Sequence, residues 1–212
     1  MSGLTPPFQY FPILRQPVNG DGNFTIAVCG LGRSGTTMVA RVIQALGVDM
    51  GSSLTPRTCE DKILQVAIAN NDPKAFAEHC TYRNSQSDVW AFKVPRFRSK
   101  INEYSDYLRN PRLIVTFRDP LAVALSNMYY LGLPSDKLMT TLDLASREIT
   151  KLVREIDAYG HPAMLVPYEL ALKYPSELVM RVAQFCGVTT TQSLIDDVTR
   201  LNIINKDTRY TG

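Results

Sequence analysis

The sequence predicts a three-layer α/β/α sandwich with a mostly parallel central sheet. Three observations predict it: short apolar, β-branched runs recur along the chain, stretches of helical apolar spacing separate them, and the runs are apolar throughout rather than alternating. A strand apolar on both faces belongs to a sheet covered on both sides, the setting in which helices join parallel strands. With 212 residues, 45% of them hydrophobic, the chain is long enough to bury one substantial core. Residues 1–23, carrying Pro6, Pro7, Pro12 and Pro17, read as an extended N-terminal arm, and residues 24–212 as a single domain.

The elements follow in order. FTIAVC at 24–29 is a strand, a Gly-rich turn comes next, and TTMVARVIQALG at 36–47 has helical spacing closed by Gly47. Residues 60–70 again have helical spacing, and the surrounding stretch 51–86, by its position after the first helix, is a candidate to line a ligand pocket. VWAFKV at 89–94, LIVTF at 113–117 and AMLVPY at 163–168 are further strands. Asp119 and Pro120 read as N-cap and first turn of a helix through Leu131, because Asp can accept the first amides and Pro has no amide to lose there. That helix ends near Gly132; a longer amphipathic helix covers 137–159, and another covers 176–186 before Gly187. No internal repeat is visible.

Composition removes several classes of function. A net charge of +3 without a basic stripe argues against a nucleic-acid partner. Cys29, Cys59, Cys80 and Cys186 form no CxxC pair, which argues against a zinc cluster or a redox motif and fits a reducing, cytoplasmic setting. No stretch reaches the roughly 18 consecutive apolar residues of a membrane span, so stable membrane insertion is not expected.

The chemistry is concentrated in Gly30-Leu31-Gly32-Arg33-Ser34-Gly35-Thr36-Thr37, which has the GxxxxG spacing of a phosphate-binding P-loop between a strand and a helix. Glycines let consecutive backbone N–H groups point inward, and the helix N-terminus adds a field that favours an anion. Thr36 stands where nucleoside triphosphate enzymes carry the Lys that reaches the terminal phosphates. The cation lies instead at Arg33, whose planar guanidinium suits bidentate contact with phosphate oxygens. The bland alternative is a tight turn with a solvent-facing Arg. Arg118 closes the LIVTF strand at the edge where open parallel sheets gather ligands. Asp119 sits one residue late for a metal-holding carboxylate and reads better as a cap, so no metal is expected.

At these residues the chain resembles the sulfotransferase family, whose donor is 3′-phosphoadenosine 5′-phosphosulfate bound on a P-loop-like fold. Three segments carry the resemblance in the family's order, spanning most of 24–188. RSGTT at 33–37 is similar to the 5′-phosphosulfate loop; this implies donor contacts from Gly32, Arg33, Ser34, Gly35, Thr36 and Thr37, with Arg33 stabilising the departing phosphate and the transferring group. RDPLAVALSNMYYLG at 118–132 looks like the 3′-phosphate segment, with Arg118, Pro120 and Ser126 at the matching positions; Arg118 and Ser126 are thereby implied to hold the 3′-phosphate. LVPYELALKYPSELVMRVAQFCGV at 165–188 resembles the family's strand, Tyr-Glu, Pro and helix pattern, an architectural match.

Two departures stand beside these matches. Many cytosolic members have a late Arg-Lys-Gly loop with Gly-Asp-Trp over the donor, and 205–210 holds no clear equivalent. Some members take a His base after a Lys-Thr pair on the second strand, whereas here that strand ends Lys93-Val94-Pro95. Other members use a carboxylate after the first helix, and Cys59-Glu60-Asp61 resembles their Phe-Glu-Asp. Glu60 is therefore the first candidate for the base, with Asp61 behind it; the alternative is an acidic first turn of a helix beginning near Thr58. Lys93 is the candidate to assist the sulfuryl group, against a snorkelling role. His79 and His161 read as structural, and the Trp90, Tyr104, Tyr107, Tyr129 and Tyr130 aromatics as core. The resemblance implies a sulfotransferase acting on a small-molecule, glycan or lipid acceptor. The competing readings are a P-loop kinase or nucleotide hydrolase with a displaced cation, and a non-catalytic nucleotide-binding relative.

Overall fold

The computed structural model describes residues 10–17 and 22–201; residues 205–210, the tail without a clear equivalent of the late loop, lie outside them. Five strands form one sheet in the order β1-β5-β4-β2-β3: β1 Ile13–Leu14, β2 Phe24–Gly30, β3 Val89–Lys93, β4 Arg112–Phe117 and β5 Ala163–Pro167. β2, β3, β4 and β5 are parallel, and β1 pairs antiparallel with β5 through Ile13 opposite Met164. The sheet is α/β and mostly parallel, as the continuous apolar runs predict. β1 is a strand that the sequence does not announce, because two residues are too few to show an alternation.

Around the sheet lie α1 Thr36–Ala45, α2 Lys62–Ala69, α3 Pro73–Gln86, α4 Ile101–Tyr104, α5 Pro120–Leu131, α6 Leu138–Ala158, α7 Tyr168–Lys173, α8 Pro175–Phe185 and α9 Gln192–Arg200. The period of two along each strand divides the core. On β2, Ile26 and Val28 face a cluster with Val39, Ile43, Val179, Val182 and Val198, the buried faces of α1, α8 and α9. Ala27 and Cys29 face the other cluster, with Leu64, Phe76, Ile101, Leu152 and Ile156 from α2, α3, α4 and α6. Both faces of β2 are covered along its whole length.

Chain order fixes where a ligand would sit. From β2 the chain crosses to β3 on one side, then returns to β4 on the other, so the order reverses about β2. The crevice beyond the carboxyl ends of β2 and β4 is the topological switch point of such a sheet. The loop 30–35 leaves β2 there, and Arg118 leaves β4 there. No helix among the described residues is long and apolar enough to cross a membrane.

Candidate functional site

The loop after β2 is held by its own side chains. Ser34 is buried; its hydroxyl donates to the Leu31 carbonyl at 2.7 Å and shares a hydrogen bond of 2.6 Å with Thr116 Oγ1 on β4, while its amide donates to Leu31 at 3.2 Å. These contacts bend the chain back over the end of β4. Arg33 adopts a left-handed φ of 70°, an uncommon conformation for a residue with a Cβ and one that functional sites tolerate. Gly35 is the N-cap of α1 with φ 97°, and a Cβ there would lie 2.5 Å from Tyr168 Cδ2, so only glycine lets the loop press against that ring. Because Gly35 puts no side chain over the first turn of α1, the amides there meet no capping group.

Two clusters flank this loop. In the first, Arg33 Nε donates to Ser126 Oγ at 2.9 Å, and Arg118 Nη1 donates to the Arg33 carbonyl at 3.0 Å. Ser126 is fully buried on α5. The Arg33 guanidinium lies 5.4 Å from the Tyr130 ring centre, and that of Arg118 lies 4.4 Å from the centre of the Tyr168 ring. α5 is placed by Asp119, whose carboxylate accepts from the Ala122 amide at 2.8 Å, and by Gly132, which closes the helix in a left-handed conformation. Asp119 is the cap that its sequence context implies.

In the second cluster, Lys93 at the end of β3 is 2% exposed. Its ammonium donates to Glu60 Oε1 at 2.9 Å, to the Thr58 carbonyl at 3.0 Å and to Thr37 Oγ1 at 3.4 Å. Burial pulls the Lys93 ammonium below the usual lysine range, with Glu60 opposing it. Gln65 on α2 donates to Glu60 Oε2 at 2.7 Å, so both carboxylate oxygens are engaged. α2 begins at Lys62 rather than near Thr58, because Asp61 is its N-cap, accepting from the Ile63 and Leu64 amides at 3.0 Å each. Glu60 consequently stands just before the helix and Asp61 is committed to the cap. His79 lies 3.4 Å from Asp61 Oδ2, and His161 sits beside Tyr159.

The structure thus brings Arg33, Arg118 and Ser126 together at one end of the loop and Thr37, Lys93 and Glu60 at the other. Of the loop residues, Ser34 and Thr36 are buried, Arg33, Gly35 and Thr37 half-buried and Gly32 exposed. Sequence reasoning did not single out Tyr130 as a neighbour of Arg33, Gln65 as a partner of Glu60 or Thr116 as the anchor of Ser34. The third of these was legible in principle, since Thr116 is the one polar residue inside the LIVTF run. Chemically, the arrangement offers two guanidinium groups, a helix N-terminus and a hydroxyl to a polyanion, beside a buried ammonium paired with a carboxylate.

No family model matches the chain, and no curated protein matches it. Solved structures do. The sulfotransferase domain of the Synechococcus PCC 7002 olefin synthase is 17% identical, with a TM-score of 0.54 over 85% of this chain and 79% of that one. Sulfotransferase STF9 from Mycobacterium avium is 12% identical, with a TM-score of 0.58 over 87% and 69%. A retinol dehydratase solved with androsterone and inactive cofactor PAP is 16% identical, with a TM-score of 0.50 over 84% and 64%. The chain has the sulfotransferase fold.

Proposed function

We propose that this protein is a cytoplasmic sulfotransferase that moves a sulfuryl group from 3′-phosphoadenosine 5′-phosphosulfate to an acceptor hydroxyl or amine by in-line transfer. The observation that carries the reading is the contact of Arg33 with Ser126 and of Arg118 with the Arg33 carbonyl. The family resemblance assigns Arg33 to the 5′ end of the donor and Arg118 with Ser126 to its 3′-phosphate, and these residues, far apart in sequence, meet at the switch point. The donor set fits the group: guanidinium groups, a hydroxyl and an N-terminus without a side-chain cap suit phosphate oxygens. The four free, buried cysteines fit a reducing compartment.

When bound, the donor supplies an activated sulfuryl group on a phosphate leaving group. Gly32, Gly35, Thr36 and Thr37 contribute the amides and hydroxyls of the loop, with Ser34 holding its shape. Arg33 neutralises the charge that collects on the leaving phosphate, which is where a preorganised cation contributes most. Lys93, bonded to Thr37 at the start of α1, would offer its ammonium to the oxygens of the group in transit. Glu60 receives the acceptor's proton as the new bond to sulfur forms and the bond to the leaving phosphate breaks. The acceptor is a small molecule, a glycan or a lipid; the androsterone bound by the retinol dehydratase neighbour supports an apolar one.

Calorimetric titration with adenosine 3′,5′-bisphosphate, run beside ADP with magnesium, tests the reading. Tight binding of the bisphosphate and weak binding of ADP is the expected outcome. Preference for ADP with magnesium overturns it in favour of a kinase or hydrolase, and absence of binding to either overturns it in favour of a degenerate relative that has lost the nucleotide site.

A further inference from the structure

Arg83 lies on the buried face of α3 with Cys80 and Phe76, one and two turns away, and is 4% exposed. A guanidinium taken out of water needs partners. It has them from two segments of the chain: Nη2 reaches Asp49 Oδ2 and the Asp49 carbonyl at 3.2 Å each, and Nη1 lies 3.4 Å from Asp61 Oδ2. Its plane covers Trp90 of β3 at 4.5 Å from the ring centre. A Cβ on Gly51, at φ 89°, would meet Nη1 at 2.5 Å, so the backbone there is shaped around the guanidinium.

Asp61, 2% exposed, carries this arrangement to the candidate base. Its amide donates to the Lys93 carbonyl at 3.3 Å, tying the residue next to Glu60 onto the end of β3. Thr55 supports the same stretch, its hydroxyl accepting from the Glu60 amide at 2.8 Å and its amide donating to the Glu60 carbonyl at 2.9 Å. The segment is irregular backbone, with Cys59 at φ 54°, so its place is set by such ties rather than by a helix or a ladder.

We infer that Arg83 and Asp61 are positioning residues for sulfuryl transfer: their buried pair holds segment 55–61 on the end of β3 and so sets Glu60 against Lys93. The inference rests on the reading of Glu60 as the base. A misplacement of about 1 Å in a reacting group can cost on the order of a hundredfold in rate, and the Glu60 to Lys93 distance depends on where the 55–61 backbone lies against the end of β3, where the Asp61 amide meets the Lys93 carbonyl.

The test follows the titration of the Lys93 ammonium by NMR in the full chain. The groups facing that ammonium are Glu60, the Thr37 hydroxyl, the Thr58 carbonyl and the Cys59 thiol. Asp61→Asn keeps an oxygen for the α2 cap but turns an amide N–H toward Arg83, so the helix stays and the tether is lost. Arg83→Met removes the tether from the other side, Arg83→Lys restores a cation, and Glu60→Gln is the reference. Unchanged affinity for adenosine 3′,5′-bisphosphate reports an intact fold; if Arg83→Met fails to fold, Asp61→Asn alone decides.

The Lys93 midpoint is expected to fall by about one unit in Asp61→Asn and Arg83→Met, as in Glu60→Gln, the size that losing a close opposite charge brings. Arg83→Lys should recover part of the shift. If Glu60→Gln moves the midpoint while a folded Asp61→Asn leaves it at the parental value, the positioning role is overturned and the base assignment is untouched. If Glu60→Gln instead keeps parental turnover, the base assignment falls and takes the positioning role with it, an outcome told apart by the rate rather than by the titration.

Discussion

Arg118 is the residue on which the proposed donor site turns. Its guanidinium is packed over Tyr168 and bonded to the Arg33 carbonyl, so it both shapes the loop and presents charge at the switch point. Arg118→Ala is expected to weaken binding of adenosine 3′,5′-bisphosphate by about tenfold to a hundredfold, from the roughly 1.5–3 kcal/mol of a hydrogen bond to a charged group. The dephosphorylated nucleotide should lose much less, and equal losses for the two ligands, read by calorimetry, would withdraw Arg118 from the 3′-phosphate. Arg33 was legible because an Arg within a Gly-rich loop has few structural reasons to be there. Ser34 shows the limit of such reading, for the hydroxyl that the motif offers to a ligand is turned inward onto Leu31 and Thr116, a contact across 82 positions of sequence that no spacing announces.

At the scale of elements, α5 carries Ser126, and its entry depends on one carboxylate. Asp119→Ala should cost about 1 kcal/mol of stability by removing the acceptor for the Ala122 amide. Asp119→Asn should recover most of that loss, and a urea midpoint for the three chains checks the order. This helix was readable from end to end because both of its signals are local: Asp and Pro at the start, Gly132 in a left-handed conformation at the close. α3 was not readable. It runs for 14 residues with Phe76, Cys80 and Arg83 as its buried face, and a charged residue within a buried stripe defeats any count of apolar positions. α9 was likewise missed, with Ile195 and Val198 as its only buried residues. The same blindness hid the Arg83 and Asp61 pair, whose partners come from separate loops and helices.

For the whole molecule, the strands' period of two builds two cores back to back, and only one of them sits under α1, the helix that opens at the 30–35 loop. Phe76 belongs to the other, touching the rings of Phe92, Phe97 and Tyr104, and is fully buried. Phe76→Ala is therefore expected to lower stability by about 3–5 kcal/mol while leaving bisphosphate affinity in the surviving folded fraction unchanged; thermal melts with and without the ligand measure both. The parallel architecture was legible because β2, β4 and β5 are apolar over most of their length rather than alternating, but the sheet order was not, since every hydrogen bond that fixes it joins distant segments. One of those bonds reaches further than its size suggests. Ile13–Leu14 lies along β5, and the Leu165 amide donates to the Pro12 carbonyl at 2.9 Å. Two residues add little to the core, yet they occupy the peptide groups that would otherwise line an open margin of the sheet. A margin of that kind recruits strands from neighbouring molecules, so this short antiparallel stitch withdraws part of β5 from such pairing and leaves only a two-residue strand at that edge.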